Sequence, residues 1–485
     1  MSYLRFLAAW LVIVPLAGSP ADAGDFDAVR KSLTQRADQG WTTAKQIWEL
    51  AEPGYQETGS AALLSGWLEQ EGFRVERGVA EIPTAFTATF GAGEPVIAIL
   101  GEYDALPGLS QDAVPTRQPR TGTYGHGCGH HLFGVASLMA AAAVADQIKA
   151  GQVKGTIRYY GCPAEEGGSA KVFMVRAGLF RDVSAVLHWH PSSKNSGGES
   201  NSLARIAVKF RFHGKAAHAS SAPEEGRSAL DGVELTAHAA ELLREHIPTE
   251  ARIHHVITKG GEAPNVVPAE AEIYFYIRHP KALIVAGLYE RLVKCAKGAA
   301  LATETELEIV NEGGIVELLP NKLLGEVVLK HLREQNDLQY TEEEIQFALK
   351  LQESFQNREP LDRIREVTTR SSSTLGKGST DVGDVSWVVP TAGFNVACWV
   401  PGTPGHSWQA VACGGTTIAQ KGMNVAARTL ALSALEFLES PELLIKAREE
   451  HLKRLEGQKY APLVPPEMKP ALEYRGVPAA KAPGS

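Results

Sequence analysis

Apolar positions along this chain follow two periods, one of helices and one of strands. Asp25 to Leu50 repeats apolar residues at helical spacing, and Leu132 to Ile148 is Ala-rich and helical. Short apolar runs of strand length alternate with these. They are Val96-Ile97-Ala98-Ile99-Leu100, ending at Gly101, then Thr156 to Tyr160, then Val183 to Trp189, with a short helix at Lys171 to Ala177 before the last. A continuous apolar run bounded in this way reads as a strand buried on both faces. Strands alternating with helices predict an α/β fold, a mainly parallel sheet flanked by helices on both sides.

The pattern changes near Asn201. Arg205 to Phe212 alternates as a half-exposed strand does, Ile253 to Thr258 and Ala271 to Ile277 read as further strands, and Leu230 to Arg244 and Ala282 to Ala296 as helices. This predicts an inserted α+β module over 201–312, an open sheet with two helices on one face. Helical segments return at Asn321 to Gln335, and a charged stretch from Thr341 to Arg370 carries no motif. Phe394 to Val400 reads as another buried strand and Thr417 to Leu438 as a long closing helix. The simplest organisation is one α/β domain in two parts, 24–200 and 313–458, around the insert. The tail 459–485, rich in Pro, Ala and charge, is expected to wrap the surface or be partly disordered.

Composition narrows the function classes. The chain has 485 residues, 44% hydrophobic and 21% charged, enough for two or three folding units and a sizeable core. Its formal charge of -8 and the lack of a Lys and Arg cluster give no footprint for nucleic acid. Arg5, the apolar run Phe6 to Ala17 and Ala21-Asp22-Ala23 form a secretory signal pattern with a cut expected after Ala23. About twelve apolar residues are too few to cross a ~30 Å hydrocarbon layer, and no later segment is expected to reach spanning length. The expectation is a periplasmic or secreted protein without a membrane span after signal removal. Five cysteines allow up to two disulfides, but their spacing shows no dense framework, and the position of Cys128 suggests metal coordination instead.

Four clusters carry candidate chemistry. In Gly125-His126-Gly127-Cys128-Gly129-His130-His131, a Cys and a His two apart among glycines can present a thiolate and an imidazole to one ion. Those ligands favour zinc over magnesium or calcium. In Cys162-Pro163-Ala164-Glu165-Glu166-Gly167-Gly168, adjacent carboxylates on extended backbone point to opposite sides. One can ligate metal while the other meets a metal-bound water. His188-Trp189-His190-Pro191 puts two imidazoles on one strand face, the one nearer the strand end being the better ligand. Gly402-Thr403-Pro404-Gly405-His406 adds one more His in a loop after a strand. One thiolate, up to three imidazoles and a carboxylate exceed what a single tetrahedral zinc needs, and a two-metal site follows.

The motif order resembles a known family. Gly-x-x-Asp-Ala-Leu-Pro (Gly101 to Pro107), His-Gly-Cys-Gly-His, Pro-Ala-Glu-Glu-Gly-Gly, Trp-His-Pro, Gly-Lys-Ala-Ala-His-Ala (Gly214 to Ala219) and Pro-Gly-His are similar to the dinuclear metallopeptidases and amidohydrolases that include carboxypeptidase G and aminoacylase. Within them the branch of aminobenzoyl-glutamate hydrolase (its catalytic chain), hippurate hydrolase and the auxin-conjugate amidohydrolases is the nearest in pattern. The resemblance implies Cys128, His130, Glu166, His190 and His406 as ligands of two divalent ions, zinc or manganese. It implies Glu165 as general base toward a metal-held water. It makes the insert a lid and dimerisation domain, with His218 reaching a neighbouring subunit's site to stabilise an oxyanion and Asn265 near the substrate carbonyl or carboxylate. From the residues alone His218 reads as an exposed loop residue. Arg278 suits either a fork for a substrate carboxylate or an ordinary strand-end cation.

Two departures affect these expectations. Glu102 stands where many relatives have a ligating His and is left out of the ligand set, with Asp104 and His126 taken to orient ligands. His131 stands where many amidohydrolases of this branch have Asp. The expected activity is metal-dependent hydrolysis of an N-acyl or N-aroyl amino acid, aminobenzoyl-glutamate-like, by a homodimer that can require a second subunit type. Trp189, Trp408 and Tyr103 suit either an aroyl group or core packing. The alternatives are a dipeptidase or aminoacylase on the same scaffold, or a periplasmic metal- or solute-binding protein without catalysis. The second carboxylate, Glu165, argues against the last.

Overall fold

In a computed structural model, which describes residues 26–373 and 376–476, the chain forms an eight-stranded sheet flanked by helices and a separate four-stranded sheet. The expected signal segment lies outside the described residues. Four central strands lie side by side and parallel in the order Gly155–Cys162, Val96–Glu102, Ala185–Ser192, Thr391–Ala397. All seven residues of Val96–Glu102 are buried, as a strand covered on both faces requires. Antiparallel Phe86–Ala92 and Arg74–Arg77 extend one edge, and Asn195–Gly198 with Val367–Arg370 extend the other.

The helix His130–Lys149 packs against Phe26–Leu50, Thr417–Glu439 and the strand Val96–Glu102. Covered on every side, it is apolar all round. At 20 residues it is long and apolar enough to cross a membrane, which corrects the expectation that no later segment reaches that length. Its apolar window is 89% buried inside the protein, so core packing accounts for its composition.

The second sheet has the order Arg252–Lys259, Glu270–His279, Ala204–His213, Glu306–Ile315, every neighbouring pair antiparallel. Glu270–His279 and the second half of Ala204–His213 alternate buried and partly exposed residues, and Ala229–Leu243 and Ala282–Thr303 pack against the sheet. Glu306–Ile315 runs through the boundary expected at Glu312. The motif-free stretch 341–370 forms the helix Glu342–Gln352, opened by a capping box between Thr341 and Glu344, a 3-10 turn and an edge strand. Gln352 Nε2 donates to Pro401 O (3.1 Å) and Gln409 Nε2 to Ser354 Oγ (3.2 Å), so this stretch buttresses the loop that carries His406. All five cysteines are free.

The closing helix meets the strand edge without spare room. A Cβ at Gly422 would stand 2.5 Å from Cys398 Sγ and 2.6 Å from Ala397 O. Gly422→Ala is expected to destabilise the protein by about 1–3 kcal/mol through overpacking, read as a lower urea midpoint with an unchanged slope.

Candidate metal centre

Parallel strands send their following loops to one sheet edge, and there the distant motifs converge. Glu102 ends one central strand and stands opposite Cys162, which ends the next, just before Glu165 and Glu166. His190 lies near the end of the third, opposite Asn395 of the fourth, whose loop leads to His406. The Cys-Gly-His turn reaches the same edge because His130 opens a helix, with Gly129 as its left-handed cap (φ 76°). A side chain at Gly129 would meet Pro191 Cβ at 2.7 Å, so glycine is required for this close approach.

Three donor groups result, with ligand atoms within 4.8 Å of one another in each: Cys128, His130 and His190; Cys128, Glu166 and His406; and Glu102, His130 and Glu165. Cys128 belongs to the first two, so Cys128 and His406 are neighbours across almost three hundred positions. The imidazoles are presented for ligation. His130 donates from Nδ1 to Asp104 Oδ1 (2.8 Å) and His190 from Nδ1 to Pro191 O (2.7 Å), which leaves both Nε2 atoms facing the cluster. His190 Nε2 stands 3.2 Å from Cys128 Sγ. His406, half-exposed at the mouth, puts Nε2 3.1 Å from Glu166 Oε1.

The donors fit a cation. His130 Nε2 and Glu166 Oε1 are buried and make no hydrogen bond, although Glu102 Oε2 lies 3.2 Å from the first and His406 Nε2 3.1 Å from the second. Burial, then the adjacent His130, push His190 down to about 4, so at neutral pH it is an uncharged imidazole. Burial and then Glu166 raise the Cys128 thiol well above its usual range, so a nearby cation is what would hold it as thiolate. Burial, followed by Glu102 and Glu166, raises the Glu165 carboxyl well above its usual range. A cluster whose carboxylates repel one another, and would repel a thiolate, in a dry site is stabilised by positive charge.

Several residues went unforeseen. Glu102, set aside as a ligand, is brought within 3.2 Å of His130 Nε2. Its other oxygen lies 2.7 Å from Nζ of Lys171, which is fully buried and equally close to Asp381 Oδ1 (2.7 Å). Glu57, also buried, accepts from Thr84 Oγ1 and from Ala164 N (2.8 Å). A lone Lys in the apolar helix Ala170–Arg176 and a Glu before Thr58–Gln70 carry no sequence signal. His126 donates to Ile47 O (3.0 Å) and packs against His131, which ties the opening helix to the Cys-Gly-His turn.

The insert's candidates lie apart from these groups. His218 and Asn265 are exposed and adjacent, joined through Ala219 N to Asn265 O (3.0 Å), and His218 Nδ1 accepts from Ser220 N and Ser221 N. Arg278 lies over Tyr276 (5.5 Å) and donates to Ser379 Oγ (3.3 Å) of the larger domain. Trp189 and Tyr103 are fully buried and hydrogen-bond Phe133 O and Thr84 O, and Trp408 packs on the same core, so packing explains all three.

Residues 204–304 match the peptidase dimerisation domain of the M20 family. Over 457 residues the chain is 40% identical to a p-aminobenzoyl-glutamate hydrolase chain of Escherichia coli, covering 88% of this chain and 95% of that protein. The chain belongs to the M20 family. It is a hydrolytic enzyme of the amidohydrolase kind. Xaa-Arg dipeptidase of Mus musculus is 29% identical, with 92% of this chain and 98% of that protein covered. A dinuclear metal-binding M20 peptidase from Bacillus subtilis shares the fold, with a TM-score of 0.56 at 18% identity over 85% of this chain and 99% of that one.

The Lys171 ammonium compensates two carboxylates that burial would otherwise leave facing each other. Lys171→Met is expected to cost about 3–5 kcal/mol of stability in chemical denaturation, because it leaves Glu102 and Asp381 without their shared cation.

Proposed function

We propose that this M20 enzyme hydrolyses the amide bond between an acyl or aroyl group and an amino acid, an aminobenzoyl-glutamate-like compound being favoured. The observation that carries the reading is the Cys128 thiol shared by two donor groups, one with His130 and His190 and one with Glu166 and His406. Those five residues would hold two divalent ions, zinc or manganese. When bound, such a pair lowers the pKa of a water and polarises a carbonyl.

The chain's own side chains supply the rest. Glu165 takes a proton from the attacking water and returns it to the departing nitrogen, its carboxylate lying in a donor group with Glu102 and His130. Asp104 fixes the His130 tautomer. Arg278 offers guanidinium donors to a substrate carboxylate, and Asn265 lies beside His218 for the carbonyl. His218 acts on a neighbouring subunit's site in a homodimer formed through the insert. Arg252–Lys259, an edge strand that exposes Val256 and Ile257 (58% and 47%), supports that pairing. A second subunit type and export after removal of Met1 to Ala23 complete the proposal.

The likeness to a Xaa-Arg dipeptidase favours a second reading, a dipeptidase on the same scaffold. Glutamate release from p-aminobenzoyl-glutamate, measured against hydrolysis of Xaa-Arg dipeptides, separates the two; faster dipeptide cleavage would replace the first reading. Chelation is expected to abolish turnover and added zinc or manganese to restore it. Glu165→Gln is expected to keep its metal and lose about 10²–10⁴-fold in kcat. Unchanged turnover would remove Glu165 from the role of base.

A further inference from the structure

Residues 459–476 form a strap that crosses both domains and ends on the loop carrying Glu165 and Glu166. Tyr460 OH donates to Asp384 Oδ1 (2.8 Å), and Leu463 packs on the insert's core. A Cβ on Gly314 would meet Leu463 O at 2.6 Å. Val464 is buried against Val172 and Ile315, and Arg176 Nη1 donates to Pro466 O (3.1 Å). Farther on, Gln56 Nε2 donates to Leu472 O (3.0 Å). The Tyr474 ring then meets Tyr55 edge-on at 5.7 Å, Arg475 lies over the Tyr474 ring at 4.7 Å, and Arg475 Nη2 donates to Glu166 O.

The loop that receives Arg475 is one that needs holding. Ala164 (φ 54°) and Ser169 (φ 55°) are left-handed non-glycine residues, each a conformation that costs about 1–3 kcal/mol unless its surroundings fix it. Gly167 between them has φ 129°. Glu57 accepts from Ala164 N (2.8 Å), Asp104 Oδ2 from Glu166 N (2.9 Å), and Tyr55 OH donates to Gly168 O (2.6 Å). The remaining polar group of Glu166's backbone, its carbonyl, is met by Arg475. Asp104 fixes the peptide on one side of Glu166 and the guanidinium the peptide on the other, so together they set the direction of its side chain.

We propose that Arg475 is a positioning residue for Glu166, which makes the C-terminal strap a structural part of the catalytic site. The inference rests on the reading of Glu166 as a metal ligand. Removing the guanidinium frees the Glu166 carbonyl and loosens the carboxylate that faces His406. The strap's other contacts serve to deliver Arg475, and Lys469, paired at the surface with Glu81 (3.1 Å), stands outside this function.

The test uses the full chain, stripped of metal, with zinc in competition with a chromogenic chelator and cobalt loading followed by visible absorption. Arg475→Ala is expected to weaken zinc binding by about 10- to 100-fold and to alter the cobalt spectrum. Arg475→Lys is expected to recover part of both, and Lys469→Ala to match the unmodified protein. Arg475→Ala with unchanged zinc affinity and cobalt spectrum overturns the proposal, whether its only effect is a lower Tm or a higher KM. If the unmodified protein itself binds no zinc or cobalt, the metal reading fails first and this inference falls with it, a result distinct from normal binding in every variant.

Discussion

Asp104 is the residue on which the geometry of the site depends. One of its carboxylate oxygens accepts from His130 Nδ1 and the other from Glu166 N. The first bond fixes the ring at the start of a core helix, the second fixes a strained loop at the end of a neighbouring strand. With both made, a buried carboxylate has its charge compensated and two donors from separate elements are held in register. Asp104 itself follows the strand Val96–Glu102, buried along its whole length, so its position is as rigid as the core beneath it.

Around that anchor the protein concentrates acids where water is scarce. Glu57, Glu102, Glu165 and Glu166 lie close to Asp104 and Asp381, and Lys171 answers Glu102 and Asp381 with a positive charge from within. Such a site is stable only if further positive charge is supplied or protons are taken up. Histidines with Nε2 turned inward, a shared thiol and a buried carboxylate oxygen without a hydrogen bond all favour the first solution.

Much of this was legible from pattern. The buried strands were readable as short continuous apolar runs and the Ala-rich helix by its length and composition, and the four motif clusters because His, Cys and paired Glu among glycines are rare in ordinary loops. Other residues were not. Lys171 sits in an apolar run that reads as plain helix, and Glu102 reads as a strand end. The same apolar density that marked His130–Lys149 as core also gives it the length and composition of a membrane helix, a choice composition cannot make.

The sequence by itself determined which chemistry was present and which local elements would carry it, because side-chain type and apolar period are local properties. Tertiary structure decided which donors meet. Four strands made parallel bring their ends to one edge, and only that alignment joins Cys128 to His406 and sets Glu102 against Lys171. The same holds for the strap. Its composition reads as a surface wrap or a partly disordered tail, and nothing short of packing across both domains could show that Arg475 lies against Glu166, since proximity in space between residues 309 apart leaves no mark on either segment.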